Sequence, residues 1–440
     1  MSRAFAMRSL SALSTVVATS PQQLCPTCEF GEPGIFRQVI CRMAERRCHE
    51  HFRDSLEAIV LTGSLARDEA TFVQDEGRCR LLGDAEFLLI FKVRTAMPSE
   101  ASLKLLGENI EGSLASAGIV GEVHLSAAHQ VYLRKLRPHI FAYELRECGL
   151  VVSGDPLILA QIPDFSASDI PLEDGWRLLS NRMVEQLEAL EDLEQGEKIL
   201  PPRILYRTIK LYLDMATSFL LFAGEYAPTY AERARRLQRV ADSELPDDKA
   251  RFDLRCFSER VSECTQWKLS STDLNDFSNS VPVSELGFSW WEEAVGYAQQ
   301  LWRRELTQLT RCEGQLSTEQ LLQRWMRCQP LPRRLQGWLY VVRDQGWHRS
   351  WRNWPRWARL ARRASPRYWI YEVTGAVFSQ LPSLLKDTNR TQCPDADWEE
   401  LRSFLPVVPE LDQKQKLPDW RRLAVEIAWN YQKFLVETRS

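Results

Sequence analysis

Asp84 and Glu86 sit in a run, Leu81–Phe91, that otherwise reads as a buried strand. Strand side chains alternate with period two, so the two carboxylates leave the same face. Two acids side by side on an apolar strand repel each other and lose hydration, which makes them poor structural choices. A pair of divalent cations reverses that balance, and Mg²⁺ in particular favours carboxylate oxygens shared with substrate phosphates. Upstream, Glu57–Thr62 reads as a strand and Leu65–Ala70 as the start of a helix, with Gly63-Ser64 at the turn between them. Such a turn lets backbone N–H groups and a hydroxyl approach an anion at a helix N-terminus. Gly-Ser alone is an ordinary turn signal; followed by an Asp-x-Glu strand it points to metal-assisted phosphoryl or nucleotidyl transfer.

With Leu61-Thr62-Gly63-Ser64 followed by Gly83-Asp84-Ala85-Glu86-Phe87-Leu88-Leu89, the chain resembles the nucleotidyltransferase superfamily that includes DNA polymerase β and the aminoglycoside nucleotidyltransferases. The resemblance covers about residues 35 to 240. It implies an α/β catalytic domain with a mixed sheet and flanking helices, followed by an all-helical C-terminal region. It also implies a third carboxylate on a later strand, and Gly121–Ser126 looks like that strand, with Glu122 as the third acid and general base. His124 shares a strand face with Glu122, so either residue is a candidate to complete the site. The implied activity is transfer of a nucleoside monophosphate from an NTP, ATP first among them, to a hydroxyl acceptor with release of pyrophosphate. Asp84 and Glu86 would hold two Mg²⁺ ions, or Mn²⁺, about 3.5–4 Å apart, and Gly63-Ser64 would seat the triphosphate. The alternative is a non-catalytic nucleotide- or nucleic-acid-binding regulatory module of the same fold.

The chain departs from the family pattern at one place. Nineteen residues, Leu65–Gly83, separate Ser64 from Asp84, more than the family's usual loop. Val73–Arg80 has the look of an inserted hairpin with Glu76-Gly77 at its turn, which would reshape the mouth of the site without moving the acids.

The elements that must position these residues follow from the rest of the chain. At 440 residues the chain has ample core for two or three domains, and its 44% apolar and 26% charged content is ordinary for a globular protein. No apolar run reaches the length of a spanning helix, and the expected location is cytoplasmic. Met1–Gln23 carries Arg3 and Arg8 without acids, but its apolar part is broken by Ser11, Ser14 and Thr15, so residues 1–34 are expected to form an N-terminal extension rather than a cleaved leader. Eleven cysteines in a chain this long do not form a disulfide framework. Cys25 and Cys28 make a lone CxxC pair, while Cys41 and Cys48 would stand two helical turns apart, too far to share one zinc ion.

The catalytic domain is expected over 35–164 and a helical domain closing the cleft over 165–280. There the hydrophobic period changes to 3.6: Trp176, Leu179, Met183, Leu187, Leu190 and Leu193 make one stripe, and helices follow over about 203–223 and 230–240. The resemblance implies that this domain supplies cations for the triphosphate. Tyr206, Lys210 and Asp214 fall at i, i+4 and i+8, on one face. Lys210 is the candidate to neutralise phosphate and Tyr206 to stack or hydrogen-bond beside it; the competing reading is a Lys210–Asp214 surface pair.

Residues 281–440 form a Trp/Arg-rich helical region with thirteen of the fifteen tryptophans. Arg324–Arg367 holds twelve arginines and one acid, Asp344, a net of +11 in a chain whose total is −3. Trp347, Trp351 and Trp354 fall on one helical stripe and Arg349, Arg352, Arg356, Arg359 and Arg363 on another, unless Pro355 starts a second helix with Asn353 at its cap. Three readings compete: tryptophans in the core with arginines solvated or docked on the acidic remainder, a nucleic-acid groove, and a membrane-surface helix. Composition does not choose among them.

Overall fold

The computed structural model describes residues 33–75, 77–190, 200–243, 252–270, 272–273, 283–312, 316–346, 351–386, 397–409 and 418–436. The expectations for residues 1–32 with Cys25 and Cys28, and those for Glu76, Leu193, Trp347 and Arg349, lie outside them.

A mixed sheet organises the first part. Helix α1 (Pro33–Phe52) leads into β1 (Leu56–Thr62), a single turn of helix α2 (Gly63–Ala66), and the hairpin of β2 (Phe72–Asp75) and β3 (Arg78–Phe91). Helix α3 (Glu100–Ser116), β4 (Ile119–His129), α4 (Gln130–Arg134), α5 (Ile140–Cys148) and β5 (Leu150–Gly154) complete it. The expected inserted hairpin is present, with Asp75 opposite Arg78 and Gly77 at its turn with φ +77°. Helix α2 is much shorter than the sequence suggests. Asp68 takes a left-handed conformation (φ 58°) and the Glu69 N–H donates to the Ser64 carbonyl at 2.9 Å, which closes the helix after one turn.

Strand β3 is the axis of the sheet. Along one edge Phe72–Asp75 pairs with Arg78–Leu81, and further on Leu56–Thr62 pairs with Glu86–Phe91, both antiparallel. Along the other edge β4 runs parallel, with Asp84 opposite Glu122 and Glu86 opposite His124. Strand β5 pairs with β1 antiparallel, and the parallel β3–β4 pairing makes the sheet mixed, as expected. Two features converge on residues 82–85. The β2 pairing has stopped and the β1 pairing has not begun, and the β3–β4 register shifts between Arg80 and Asp84. Such irregularities leave strand edge open and re-aim side chains.

Period-two alternation places Ile59, Leu61, Phe87 and Leu89 against α1 and α3, and Ala58, Val60, Leu88 and Ile90 against α4 and α5. Each such aliphatic side chain, when fully buried, stabilises the fold by about 1.5–3 kcal/mol. Asp84 and Glu86 continue the Leu88–Ile90 face, and Glu122 and His124 continue the matching face of β4. Helix α3 presents Leu103, Leu106, Ile110 and Leu114 on one stripe, started by the Ser99 hydroxyl, which accepts from the Ser102 N–H at 3.2 Å.

The remainder is helical: α6 (Leu172–Ala189), α7 (Pro202–Phe222), α8 (Tyr230–Ser243), α9 (Leu254–Leu269), α10 (Val283–Thr310), α11 (Thr318–Cys328), α12 (Leu331–Gln345), α13 (Trp354–Arg363), α14 (Pro366–Lys386), α15 (Trp398–Phe404) and α16 (Asp419–Tyr431). One departure from a purely helical region is the two-residue strand β6 (Thr272–Asp273), which adds to β2 in parallel. A single core runs from Trp176 to Phe434. Tryptophans dominate it: Trp176 stacks on Trp302 at 5.5 Å between ring centroids, and Trp290, Trp291, Trp338, Trp357, Trp369 and Trp420 are buried. The long Trp–Arg helix is replaced by a 3₁₀ turn, Trp351–Asn353, after which Pro355 lies in the first turn of α13 with Asn353 as its cap.

Candidate active site

The open stretch of β3 gathers the acidic residues. Ligand atoms of Asp84, Glu122 and His124 all lie within 4.8 Å of one another. The His124 Nε2 stands 3.6 Å from Asp84 Oδ2 and 3.6 Å from Glu122 Oε2. Sequence reasoning left His124 as an alternative to Glu122; the β3–β4 register brings both beside Asp84. Glu86 does not join that group. Its carboxylate lies over Gly63: a Cβ built there would meet Glu86 Oε2 at 2.2 Å, and Gly63 has φ +69°. The left-handed backbone favours glycine there, and any larger residue would also push the Glu86 carboxylate aside.

Glu86 is exposed, yet protein atoms crowd around its carboxylate. That partial desolvation pushes its pKa up and the neighbouring Asp84 charge adds to it, while Arg67, His124 and Lys210 pull the other way. The acids therefore carry negative charge that the protein's own cations do not fully offset. The carboxylate oxygens of Asp84 and Glu122 suit Mg²⁺ or Mn²⁺, while the His124 imidazole nitrogen is a donor that later first-row divalent ions favour. Glu86 adds a further carboxylate close by.

Opposite the acids, α7 and α9 deliver hydroxyl and amine groups. The position a Cβ on Gly83 would take is 3.8 Å from the Tyr206 hydroxyl and 3.9 Å from Ser64 Oγ, so the two hydroxyls converge from different parts of the chain. The Tyr206 ring lies between two ammonium groups, with Lys210 Nζ and Lys268 Nζ each 5.6 Å from its centroid. Asp214, the third residue of the expected face, is not paired with Lys210. It is buried and accepts from Arg182 Nε at 2.7 Å.

Lys268 is absent from the sequence reading. It is buried, and its Nζ donates to Thr71 Oγ1 at 3.0 Å and to the Tyr206 hydroxyl at 3.2 Å. Burial lowers its pKa to about 8, partly opposed by Glu69. One signal was legible: Lys268 follows Val261, Cys264 and Thr265 at i+7, i+4 and i+3, a lysine on the buried stripe of α9.

A second missed group stands behind Glu86. Arg67 donates to Glu144 at 2.7 Å and to Glu69 at 3.0 Å, Arg233 pairs with Glu144, and the Tyr226 hydroxyl donates to Glu144 at 2.7 Å. Burial would raise the Glu144 pKa, but Arg233 and Arg67 outweigh it and hold the carboxyl below its ordinary range. Glu69 accepts from the Tyr230 N–H at 2.6 Å, at the start of α8.

Two recesses open from this centre. A cleft of about 530 Å³ runs along the shifted β3–β4 register, lined by Arg80, Gly83, Asp84, Glu108, Glu111 and Glu122 among others. A smaller recess of about 60 Å³, lined by Gly63, Arg67, Glu86 and Glu144 among others, lies on the other side.

No family model matches this chain, and no curated protein matches it. Among solved structures it is similar to a spectinomycin adenyltransferase from Enterococcus faecialis, determined with ATP and spectinomycin. Identity is 12%, the likeness covers 61% of this chain and 98% of that one, and the TM-score is 0.34. A superposition that loose does not define a shared architecture. What the fold itself defines is a mixed α/β sheet, joined to a helical part, whose open strand edge carries acids facing hydroxyls and lysines.

Proposed function

We propose that this protein is a divalent-metal-dependent nucleotidyltransferase that joins a nucleoside monophosphate, from ATP or another NTP, to a hydroxyl acceptor. The observation that carries the reading is the convergence of Asp84, Glu122 and His124, within 4.8 Å, beside Glu86 and the Gly63-Ser64 turn. Asp84 and Glu86, with Glu122 or His124, would hold the metal. When bound, a divalent cation supplies positive charge to the triphosphate and to the developing oxyanions.

The chain's own residues account for the remaining roles. Ser64 and Tyr206 present hydroxyls to phosphate oxygens above Gly83, and Lys210 neutralises the outer phosphates. Lys268 fixes the Tyr206 hydroxyl from below. Glu122 is exposed at the mouth of the 530 Å³ cleft, where it orients the acceptor hydroxyl and takes its proton. The acceptor oxygen then attacks the α-phosphorus in line, and pyrophosphate leaves with the bridging oxygen. Asp84, Glu108, Glu111 and Glu122 line that cleft, which disfavours a polyanionic acceptor such as an RNA end and favours a neutral or cationic one.

Incubation with α-labelled nucleotides, Mg²⁺ or Mn²⁺ and separated acceptor pools tests the reading. Label should enter one pool with the wild-type chain and not with Asp84→Asn, whose fold should be intact because the change removes one charge from a repulsive pair. Unchanged transfer by that variant would refute the metal assignment.

A further inference from the structure

Helix α12 leaves an apolar stripe in solvent. Leu331, Leu335 and Leu339 are 57%, 48% and 65% exposed at four-residue spacing, and Tyr340 and Trp351 are exposed nearby in sequence. No other helix among the described residues carries three large exposed hydrophobics in one row. The face of α12 that adjoins this row is committed to the core through Trp338 and Val341. The stripe is therefore surplus to packing, and an apolar row of this kind costs solubility unless something covers it.

The charge around it says what would cover it. Arg327, Arg333, Arg343, Arg352, Arg359 and Arg362 are exposed, and no ion pair joins them to an acid among the described residues. Asp344, the one acid from Arg324 to Arg367, is already bound to Lys433 at 3.1 Å. Arg334 draws the segments together: its guanidinium donates to the carbonyls of Gln329, Arg327 and Arg362 at 2.8, 2.6 and 2.9 Å. The main chain at Arg327 and at Arg362 is thus tied to α12 through the Arg334 guanidinium. Among the described residues, these six arginines do not dock on the acidic remainder of the chain.

We infer that α12 and α13 form a peripheral docking surface for an anionic lipid membrane, with the leucines entering the acyl boundary and the arginines meeting headgroups. A second copy of the chain would set arginine against arginine. A nucleic acid would use the arginines but offers nothing to a row of leucines, which neither stack on bases nor hydrogen-bond to them. A basic helix with a row of exposed aliphatic side chains, followed in the chain by the exposed Trp351, suits a lipid interface.

Flotation of the full chain with vesicles of phosphatidylcholine, alone or mixed with phosphatidylserine, tests this. Binding is expected with the mixed vesicles, with little to phosphatidylcholine alone, and should weaken with salt. Leu335→Gln with Leu339→Gln should lower the bound fraction roughly tenfold. Arg359→Glu with Arg362→Glu should lower it roughly fivefold for each arginine lost, or more. Absence of flotation by the wild-type chain overturns the inference, as does flotation insensitive to the leucine pair. Binding of a labelled single-stranded RNA that the arginine changes abolish and the leucine changes spare, without flotation, assigns the surface to nucleic acid instead. A dimer in sedimentation equilibrium that the leucine pair dissolves assigns it to self-association. Should the leucine variant melt early, the lipid and salt dependence of the wild-type chain decides alone.

Discussion

At the scale of single residues, the candidate site is built on contrasts between neighbours of like chemistry. Asp84 and Glu86 leave one strand face, yet Asp84 lies with Glu122 and His124 while Glu86 lies over Gly63. Gly63→Ala should therefore be costly on two counts, a left-handed backbone and a Cβ inside the Glu86 carboxylate. A loss of roughly 1–3 kcal/mol in stability is expected, with transfer activity falling further, as read by thermal melts and by turnover. Wild-type behaviour in both would mean that Glu86 is free to move away. Lys210 offers a separate test, since its charge acts on Glu86 and its ammonium packs on the Tyr206 ring. Lys210→Ala should weaken triphosphate binding by on the order of 1.5–3 kcal/mol and monophosphate binding less. Equal losses for both nucleotides would place Lys210 outside the phosphate site.

At the scale of elements, the sheet and the helices are held in register by buried ionic groups rather than by apolar contact alone. Arg67 follows α2, Glu144 lies on α5 and Arg233 on α8, and the three meet behind Glu86. The Thr71–Lys268 contact repeats the theme on the other side: Thr71 Oγ1 donates to the Lys268 carbonyl at 2.7 Å and accepts from its Nζ. Removing one partner from a buried network leaves the others unpaired. Glu144→Gln should cost about 3–5 kcal/mol and open the cleft between sheet and helices, measurable by denaturant titration and by faster amide exchange in α8. A cost near zero would show that Arg67 and Arg233 find water instead.

At the scale of the whole molecule, the helical core holds carboxylate oxygens that no hydrogen bond satisfies, two on Glu305 and one on Glu372. Neither carboxylate oxygen of Glu305 on α10 has a hydrogen-bond partner, and burial pushes its pKa up to about 8. Glu372 on α14 is pushed up to about 7 for the same first reason. An acid whose folded pKa exceeds its unfolded value of about 4.5 holds its proton longer in the native state. The native state then binds more protons between about pH 4.5 and 8, so stability falls as pH rises through that window. The loss is on the order of a few kcal/mol, and Glu305→Gln should flatten it, as followed by melting temperature across pH. A melting temperature that rises from pH 5 to 8 in the wild-type chain, unchanged by the substitution, would contradict this. No helix among the described residues is long and apolar enough to cross a membrane.

Local periodicity carried much of this into the sequence itself. The Asp84–Glu86 face, the β2–β3 hairpin, the Trp176–Leu190 stripe and the start of α13 at Pro355 were all legible, because each depends only on residues a few positions apart. The length of α2 was not, since a left-handed Asp68 ends it where propensity alone would continue. Tertiary structure alone decided which groups meet. His124 stands beside Asp84 because the β3–β4 register shifts past Arg80, and that register is set by apolar side chains on both sheet faces. Glu86 parts from Asp84 because Gly63, at the turn between β1 and α2, leaves room for it. Lys268 reaches Tyr206 because α7 and α9 bury their stripes against each other, sixty-two residues apart in the chain. Which arginines stay in solvent was likewise settled by packing: a run of like charges has no fold preference until the tryptophans between them are buried.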